Sequence, residues 1–302
     1  MEPPIEPIVR MIGFGEAAMA FAGDEARGIW AVSAYDSKTD DPGEWARKRA
    51  DYDRMDVDGA ATLGDALSGG RLILSLVTAG QALVAARQAA RVLMPGALYL
   101  DMNSVAPATK QAAAAAISTA GGHYADVAVM APVHPARRAV PLLVSGPAAH
   151  AAADALATLG FTDVTIVGDA VGQASAIKMI RSVMIKGLEA LTAECAVAAS
   201  RAGVLDQVLT SLGPAAPADF AYRLERMTSH GRRRAEEMAE VAATLATLGV
   251  PPAMASATQG WQQLLGEIDI PAVTDAAVRL AAIDQGLVQE NAIRADSGRN
   301  AA

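Results

Sequence analysis

Short apolar runs alternate with helix-period segments through the first half of the chain, and then the runs stop. Ile8 to Ile12 reads as a first strand ending at Gly13, and Ile29 to Tyr35 as a second closed by Asp36. Arg71 to Val77, Ala97 to Asp101, Tyr124 to Met130, Pro141 to Val144 and Val164 to Val167 repeat the signature of short buried strands. Between them, Glu16 to Gly28, Gln81 to Leu93, Pro107 to Ala120 and Ala148 to Leu159 are small-residue or alanine-rich and read as helices. Such alternation predicts an α/β fold, a doubly wound and mostly parallel sheet covered on both faces. Ser37 to Arg54 is a polar, charge-rich section with Pro42-Gly43 as a turn signal.

Beyond Gly168 the strand signal disappears. Apolar residues recur at Ile177, Ile180, Met184, Leu188, Leu191 and Cys195, close to the helical period, and Gly203 stands where such a helix ends. Pro214 to Pro217 breaks the chain before a further helix, Asp219 to Leu248, stopped by Gly249 and Pro251-Pro252. We therefore expect an α/β domain over residues 1–167 and an all-helical domain over 168–302, joined by a long helix. The polar tail from Gly286 to Ala302 reads either as a frayed helix or as disorder.

Composition narrows the function classes. With 302 residues, 52% hydrophobic and 19% charged, the chain can bury a substantial core, which argues against global disorder. A net charge of −8 argues against a nucleic-acid partner, because phosphate binding needs clustered cations. Arg232-Arg233-Arg234 is followed at once by Glu236 and Glu237, and the mixture reads as a solvated helix face. Cys195 is the single cysteine, which excludes an intrachain disulfide; it reads as a core residue of a cytosolic protein. The N-terminus lacks a secretory pattern and no apolar run reaches the ~18 residues of a membrane span. The expectation is a soluble, cytoplasmic protein with no membrane partner.

The chemistry begins at Gly13-x-Gly15-x-x-Ala18, which follows one expected strand and opens one expected helix. The first glycine permits a tight turn, the second lets backbone amides approach a pyrophosphate, and small residues at Ala17 or Ala18 allow close packing. A plain strand-turn-helix junction produces the same pattern. Asp36 strengthens the dinucleotide reading, since a carboxylate at the end of the second strand can bind adenosine ribose hydroxyls. Its negative charge opposes a 2′-phosphate and favours NAD, while Lys38, beside Ser37, partly reverses that preference towards NADP.

With these residues in view, the chain resembles the β-hydroxyacid dehydrogenase family, which includes 3-hydroxyisobutyrate, tartronate-semialdehyde and 6-phosphogluconate dehydrogenases. Four segments carry the resemblance, in the family's order over nearly the whole chain. Gly13-Phe14-Gly15-Glu16-Ala17 resembles its dinucleotide turn, and Leu74-Ser-Leu76-Val77-Thr78 the segment that passes the nicotinamide ribose. Asp101-Met-Asn103-Ser104-Val-Ala-Pro107 is similar to its substrate-binding segment. Gly172-Gln-Ala-Ser-Ala-Ile-Lys178 is similar to its catalytic segment, with Ala174 in place of a second glycine. The stretch from Arg223 to Trp261 resembles the C-terminal helical domain of a bacterial phosphogluconate-dehydrogenase-like subgroup.

The resemblance implies a Rossmann-type domain binding NAD, with NADP as the alternative. It implies Lys178 as general base in alcohol oxidation and general acid in carbonyl reduction, at a cleft between domains. On spacing alone Lys178 would be a lysine snorkelling from an amphipathic helix. Ser182 shares its helical face where the family has asparagine, and Arg181 is an ordinary surface residue or a carboxylate partner. Asn103 and Ser104 would orient substrate, and Asn103 would also approach the cofactor.

The pattern also departs from the family. Met130-Ala131-Pro132 stands where small-acid enzymes have paired glycines, so their carboxylate grip is in doubt; proline has no amide to offer. His230, Arg233 and Glu236-Glu237 occupy the region of a family Lys-Asp pair, with His230 as a substrate-contact candidate. His123, His134 and His150 show no metal-ligand spacing. The leading expectation is hydride transfer between nicotinamide and a hydroxy acid or related alcohol. Imine reduction and a non-catalytic nucleotide-binding scaffold are the alternatives. The apolar circumference of the long helix predicts a homodimer.

Overall fold

The computed structural model describes residues 8–23, 30–270 and 275–300, with side chains to residue 289. Residues 24–28 of the first expected helix, Ile29 of the second expected strand, and Ala301 and Ala302 lie outside them. Two compact units divide between Met179 and Ile180.

In the first unit, eight strands form one sheet: β1 (Ile8–Ile12), β2 (Ala31–Tyr35), β3 (Asp58–Gly59), β4 (Leu72–Ser75), β5 (Leu98–Asp101), β6 (His123–Val129), β7 (Leu142–Ser145) and β8 (Val164–Gly168). Their order is β3-β2-β1-β4-β5-β6-β7-β8, parallel throughout except for the antiparallel β6–β7 pair. Strand order reverses between β1 and β4, and the crevice beyond such a switch point is where doubly wound sheets take ligands.

Helices α1 (Glu16–Ala22), α2 (Trp45–Met55) and α6 (Ala149–Thr158) cover one face, where Phe21, Tyr52 and Leu156 pack on Met11, Leu74 and Val144. Helices α3 (Leu63–Leu67), α4 (Ala82–Ala89) and α5 (Pro107–Thr119) cover the other, over Ile73, Tyr99 and Tyr124. Burial on both faces explains why β5 reads as a continuous apolar run. The section from Ser37 to Arg54 is not simply a polar connection: α2 begins within it, with Lys48 and Tyr52 turned inward.

The register aligns one cross-strand row: Tyr35, Ile12, Ser75, Asp101, Asp126 and Ser145 stand opposite one another, each the last residue of its strand except Asp126, which is mid-β6. Four of these six are polar and wholly buried, namely Ser75, Asp101, Asp126 and Ser145. Buried polar groups must find partners, so this row demands an internal network.

Helix α7 (Gln173–Arg201) begins in the first unit and continues into the second. The second unit adds α8 (Leu205–Leu212), α9 (Phe220–Thr247), α10 (Ala253–Glu267) and α11 (Ala276–Asn300). Its core gathers Ala193, Val197, Leu224, Met227, Leu265 and Ile283. Gly231 and Gly266 bring α9 and α10 together backbone to backbone; a β-carbon on Gly231 would stand 2.6 Å from Gly266 Cα. The tail continues as helix to Asn300.

Two side-chain expectations are corrected here. Cys195 is exposed on α7 and is not a core residue. The arginine-glutamate run is not a uniformly solvated face: Arg234 is buried against Glu189, and Glu237 is buried against Lys186 and Arg233.

Candidate functional site

The glycine turn sits at the C-terminal end of β1. Gly13 adopts φ +84°, and a β-carbon there would meet the Leu76 carbonyl oxygen at 2.5 Å, so only glycine fits. The space over Gly15 is open, with nothing within 4 Å of a β-carbon built there. Phe14 is wholly buried, its ring 5.0 Å from the Tyr52 ring. Glu16 is exposed and Ala17 half-buried at the start of α1, whose N-cap Gly15 has no capping side chain. An open, uncapped backbone beside a switch point fits a dinucleotide pyrophosphate.

Asp36 lies beside this turn. Its Oδ2 accepts from the Phe14 N–H at 2.8 Å and its Oδ1 from the Lys38 N–H at 3.0 Å. Lys48, buried beneath, donates from Nζ to the Phe14 carbonyl at 2.6 Å and to Asp51 at 3.0 Å, and stands 4.0 Å from Asp36. Sequence reasoning missed Lys48, because nothing in a charged helix marks that its one lysine turns inward. Ser37 and Lys38 are exposed.

Leu76, Val77 and Thr78 follow β4 directly beside Gly13. The Val77 N–H donates to Asn103 Oδ1 at 2.7 Å, while Asn103 Nδ2 donates to Ser75 Oγ at 3.0 Å and Asp101 Oδ1 at 2.8 Å. Asn103 is buried, and its amide braces the β4 and β5 exits against each other.

Ser104, one residue on, is half-buried and accepts from Lys178 Nζ at 2.5 Å. Lys178 is half-buried and directed at the strand ends. Met130 is half-buried just past β6, followed by exposed Ala131 and Pro132. Gly13 to Ala17, Asp36, Leu76 to Thr78, Asn103, Ser104, Met130 and Lys178 thus all belong to the first unit, at the C-terminal edge of its parallel strands.

Ser182 and His230 belong to the second unit. Ser182 is buried, and Lys186 Nζ donates to its Oγ at 3.4 Å. His230 is half-buried on α9. Lys186 pairs with Glu237 Oε2 at 2.7 Å, and desolvation lowers its ammonium below the ordinary lysine range although Glu237 pulls the other way. Among the described residues no group of His, Cys, Asp and Glu could hold a metal, and no helix is long and apolar enough to cross a membrane.

Beneath the strand ends lies a group of charges that sequence reasoning missed. Lys110 on α5 is wholly buried; its Nζ donates to Asp101 Oδ1 at 2.9 Å and Asp101 O at 2.6 Å, and approaches Asp126 Oδ1 at 3.2 Å as an ion pair without a directed hydrogen bond. Tyr124 donates to Asp101 Oδ2 at 2.8 Å; burial, with Asp101 and Asp126 nearby, pushes its phenol well above 10 and keeps it a donor. Asp126 Oδ2 accepts from the Ser175 N–H at 3.0 Å and the Ser175 hydroxyl at 2.9 Å. Ser145 Oγ accepts from the Ala174 N–H at 3.0 Å. The first turn of α7 is therefore capped by side chains from β6 and β7, and the Asp126 charge suits the positive end of the helix.

The comparisons bear on the fold and the family. Residues 9–168 match the family model described as the NAD binding domain of 6-phosphogluconate dehydrogenase, and residues 199–265 a domain of unknown function. A conserved hypothetical protein from Sinorhizobium meliloti 1021 is 34% identical, over 94% of this chain and 97% of its own, with TM-score 0.71. A conserved protein of unknown function, described as structurally similar to 3-hydroxyacid dehydrogenases, is 30% identical over 90% of this chain and 99% of its own, with TM-score 0.66. The 3-hydroxyisobutyrate dehydrogenase of Salmonella typhimurium shares the fold at 20% identity, over 91% and 99% of the two chains, with TM-score 0.67. The first unit is a Rossmann-type NAD-binding domain, and the chain belongs to the β-hydroxyacid dehydrogenase family of oxidoreductases.

Proposed function

We propose that this oxidoreductase interconverts a hydroxy acid or related alcohol and its carbonyl compound, with Lys178 as the acid/base. The observation that carries this reading is the 2.5 Å hydrogen bond from Lys178 Nζ to Ser104 Oγ. It holds an amine and a hydroxyl together at the edge where doubly wound sheets take their ligands. Bound nicotinamide supplies the hydride acceptor or donor. In oxidation, neutral Lys178 takes the hydroxyl proton as the carbinol hydrogen leaves as hydride; in reduction, its ammonium returns a proton to the carbonyl oxygen. Ser104 orients the reacting oxygen by donating or accepting beside Lys178. Asn103, whose amide is engaged with Val77, Asp101 and Ser75, sets the position of Ser104.

Asp36 supports NAD over NADP, because a carboxylate fixed at the end of β2 repels a 2′-phosphate. Met130, Ala131 and Pro132 give the substrate side an apolar border, which favours an alcohol larger than the smallest hydroxy acids.

The test is a panel of hydroxy acids, diols, aryl-substituted alcohols and cyclic imines with both cofactors, read by the absorbance of reduced nicotinamide. Turnover of an alcohol that Lys178→Ala abolishes supports the reading. Turnover of imines alone, or full alcohol turnover by Lys178→Ala, overturns it.

We also propose a homodimer through the second unit. Ile180, Met184, Leu188 and Leu191 are exposed along α7, beside a groove of about 610 Å³ lined by Cys195, Leu205, Leu209 and Phe220. A run of exposed apolar side chains of this kind marks a contact surface. Light scattering at micromolar concentration should give twice the chain mass, and a monomer mass overturns it.

A further inference from the structure

The wholly buried lysine of α5 has no place in the scheme above, yet it touches both supports of the Lys178–Ser104 pair. On one side its Nζ holds Asp101, whose Oδ1 accepts from both the N–H and the side-chain amide of Asn103, the residue preceding Ser104. On the other side it faces Asp126, whose Oδ2 caps the first turn of α7 through Ser175, three residues before Lys178. A buried lysine is costly to desolvate and is kept where its partners need it. Here two carboxylates share one ammonium, and each carboxylate fixes a different half of the pair.

We propose that Lys110 is a positioning residue for proton transfer: the Asp101–Lys110–Asp126 triad sets the separation of Ser104 and Lys178. The proposal rests on the reading of Lys178 as the acid/base. If Lys110 were a core filler, its removal would loosen the fold and leave the reactivity of Lys178 in the folded protein unchanged. As a positioning residue it should alter Lys178 itself. The arms on each side can be cut separately. Ser175→Ala removes the hydroxyl tie of α7 to Asp126 without changing any charge, while Lys110→Met removes the bridge and Lys110→Arg retains a cation able to span two carboxylates.

The first measurement needs no substrate. Trace acetic anhydride is allowed to label the folded full-length protein across a pH series, and the Lys178 peptide is quantified against the exposed Lys38. Lys110→Met and Ser175→Ala should both change the Lys178 labelling profile, with Lys38 as in the wild type, and Lys110→Arg should restore it in part. Unchanged Lys178 labelling in Lys110→Met overturns the proposal; should that variant fail to fold, Lys110→Gln is read in its place.

The second measurement uses whichever alcohol the panel identifies. Lys110→Met and Ser175→Ala should lower kcat about tenfold or more, with KM and NADH affinity within about threefold, since misplacing a proton-transfer group acts on the chemical step. Equal losses in kcat and NADH binding point to general damage and also overturn it. Failure of the functional reading is distinguishable, because Lys178→Ala would then retain full turnover whatever the labelling shows.

Discussion

Asp36 and Phe14, 22 positions apart, are joined by a 2.8 Å hydrogen bond from the Phe14 N–H to the Asp36 carboxylate. The carboxylate is thus part of the glycine turn as well as a candidate ribose ligand. Asp36→Ala should therefore weaken NADH about tenfold or more, combining a lost hydrogen bond with a displaced turn. It should weaken NADPH less, because the repulsion of a 2′-phosphate is removed. Fluorescence titration of both cofactors checks this; an equal loss for both would show that Asp36 acts on the turn alone.

Lys178→Ala should lower kcat by about 10²–10⁴-fold, the usual contribution of a general acid or base, while NADH binding stays near wild type. Ser104→Ala should cost less, since Lys178 remains. Steady-state kinetics with parallel cofactor titration separates the two effects, and a raised KM with unchanged kcat in Lys178→Ala would assign the amine to binding only.

The buried Lys186–Glu237 pair predicts a pH signature. Desolvation lowers the Lys186 ammonium, so the folded chain releases this proton more readily than an unfolded chain, whose lysine titrates near 10.5. Between the folded value and 10.5 the unfolded state binds more protons, and the contribution of this group to stability rises with pH. Tyr35 opposes it: burial and Asp40 push its phenol up to about 12, so its contribution is complete below 10 and lost as pH climbs towards 12. The difference in chemical denaturation between wild type and Lys186→Met isolates the lysine, and the variant should have the flatter rise up to pH 10. Glu237 keeps Arg233 as a partner, so at neutral pH the variant should lose less than the ~3 kcal/mol of a fully broken buried pair. Adding Glu237→Leu should recover part of that loss.

Gly231→Ala should destabilise the second unit by about 1–3 kcal/mol, the range for overpacking a filled interior. Its new methyl would press on the α10 backbone at Gln262 and Gly266, which cannot turn aside as a side chain would. Thermal unfolding followed by circular dichroism measures the loss, and an unchanged midpoint would contradict the close α9–α10 approach.

The strands of the first unit were legible because parallel strands buried on both faces leave continuous apolar runs, as in β4 and β5. Helix α2 was not: six of its eleven residues are charged, and its inward side is made by Lys48 and Tyr52. The two-residue β3 leaves no pattern to read. Of the candidate site, the glycine turn, Ser104 and Lys178 could be named from motif order. Lys110 could not, since an alanine-rich helix gives no sign that its lysine faces two carboxylates. Arg234 and Glu237 were read as solvated because their partners, Glu189 and Lys186, lie far off in the chain.

The row Ser75, Asp101, Asp126 and Ser145 is assembled by strand register, whereas Met130, Ala131 and Pro132 hang beyond its last rung. Under the proposed reading, acceptance of a substrate and delivery of a proton would be separable traits. The short segment after β6 can be exchanged, by evolution or by grafting, without retuning the frame that carries the amine. A single-residue insertion inside β5 or β6 would do the opposite, swinging a carboxylate to the wrong side of the sheet and, on the proposed mechanism, lowering turnover of every substrate at once.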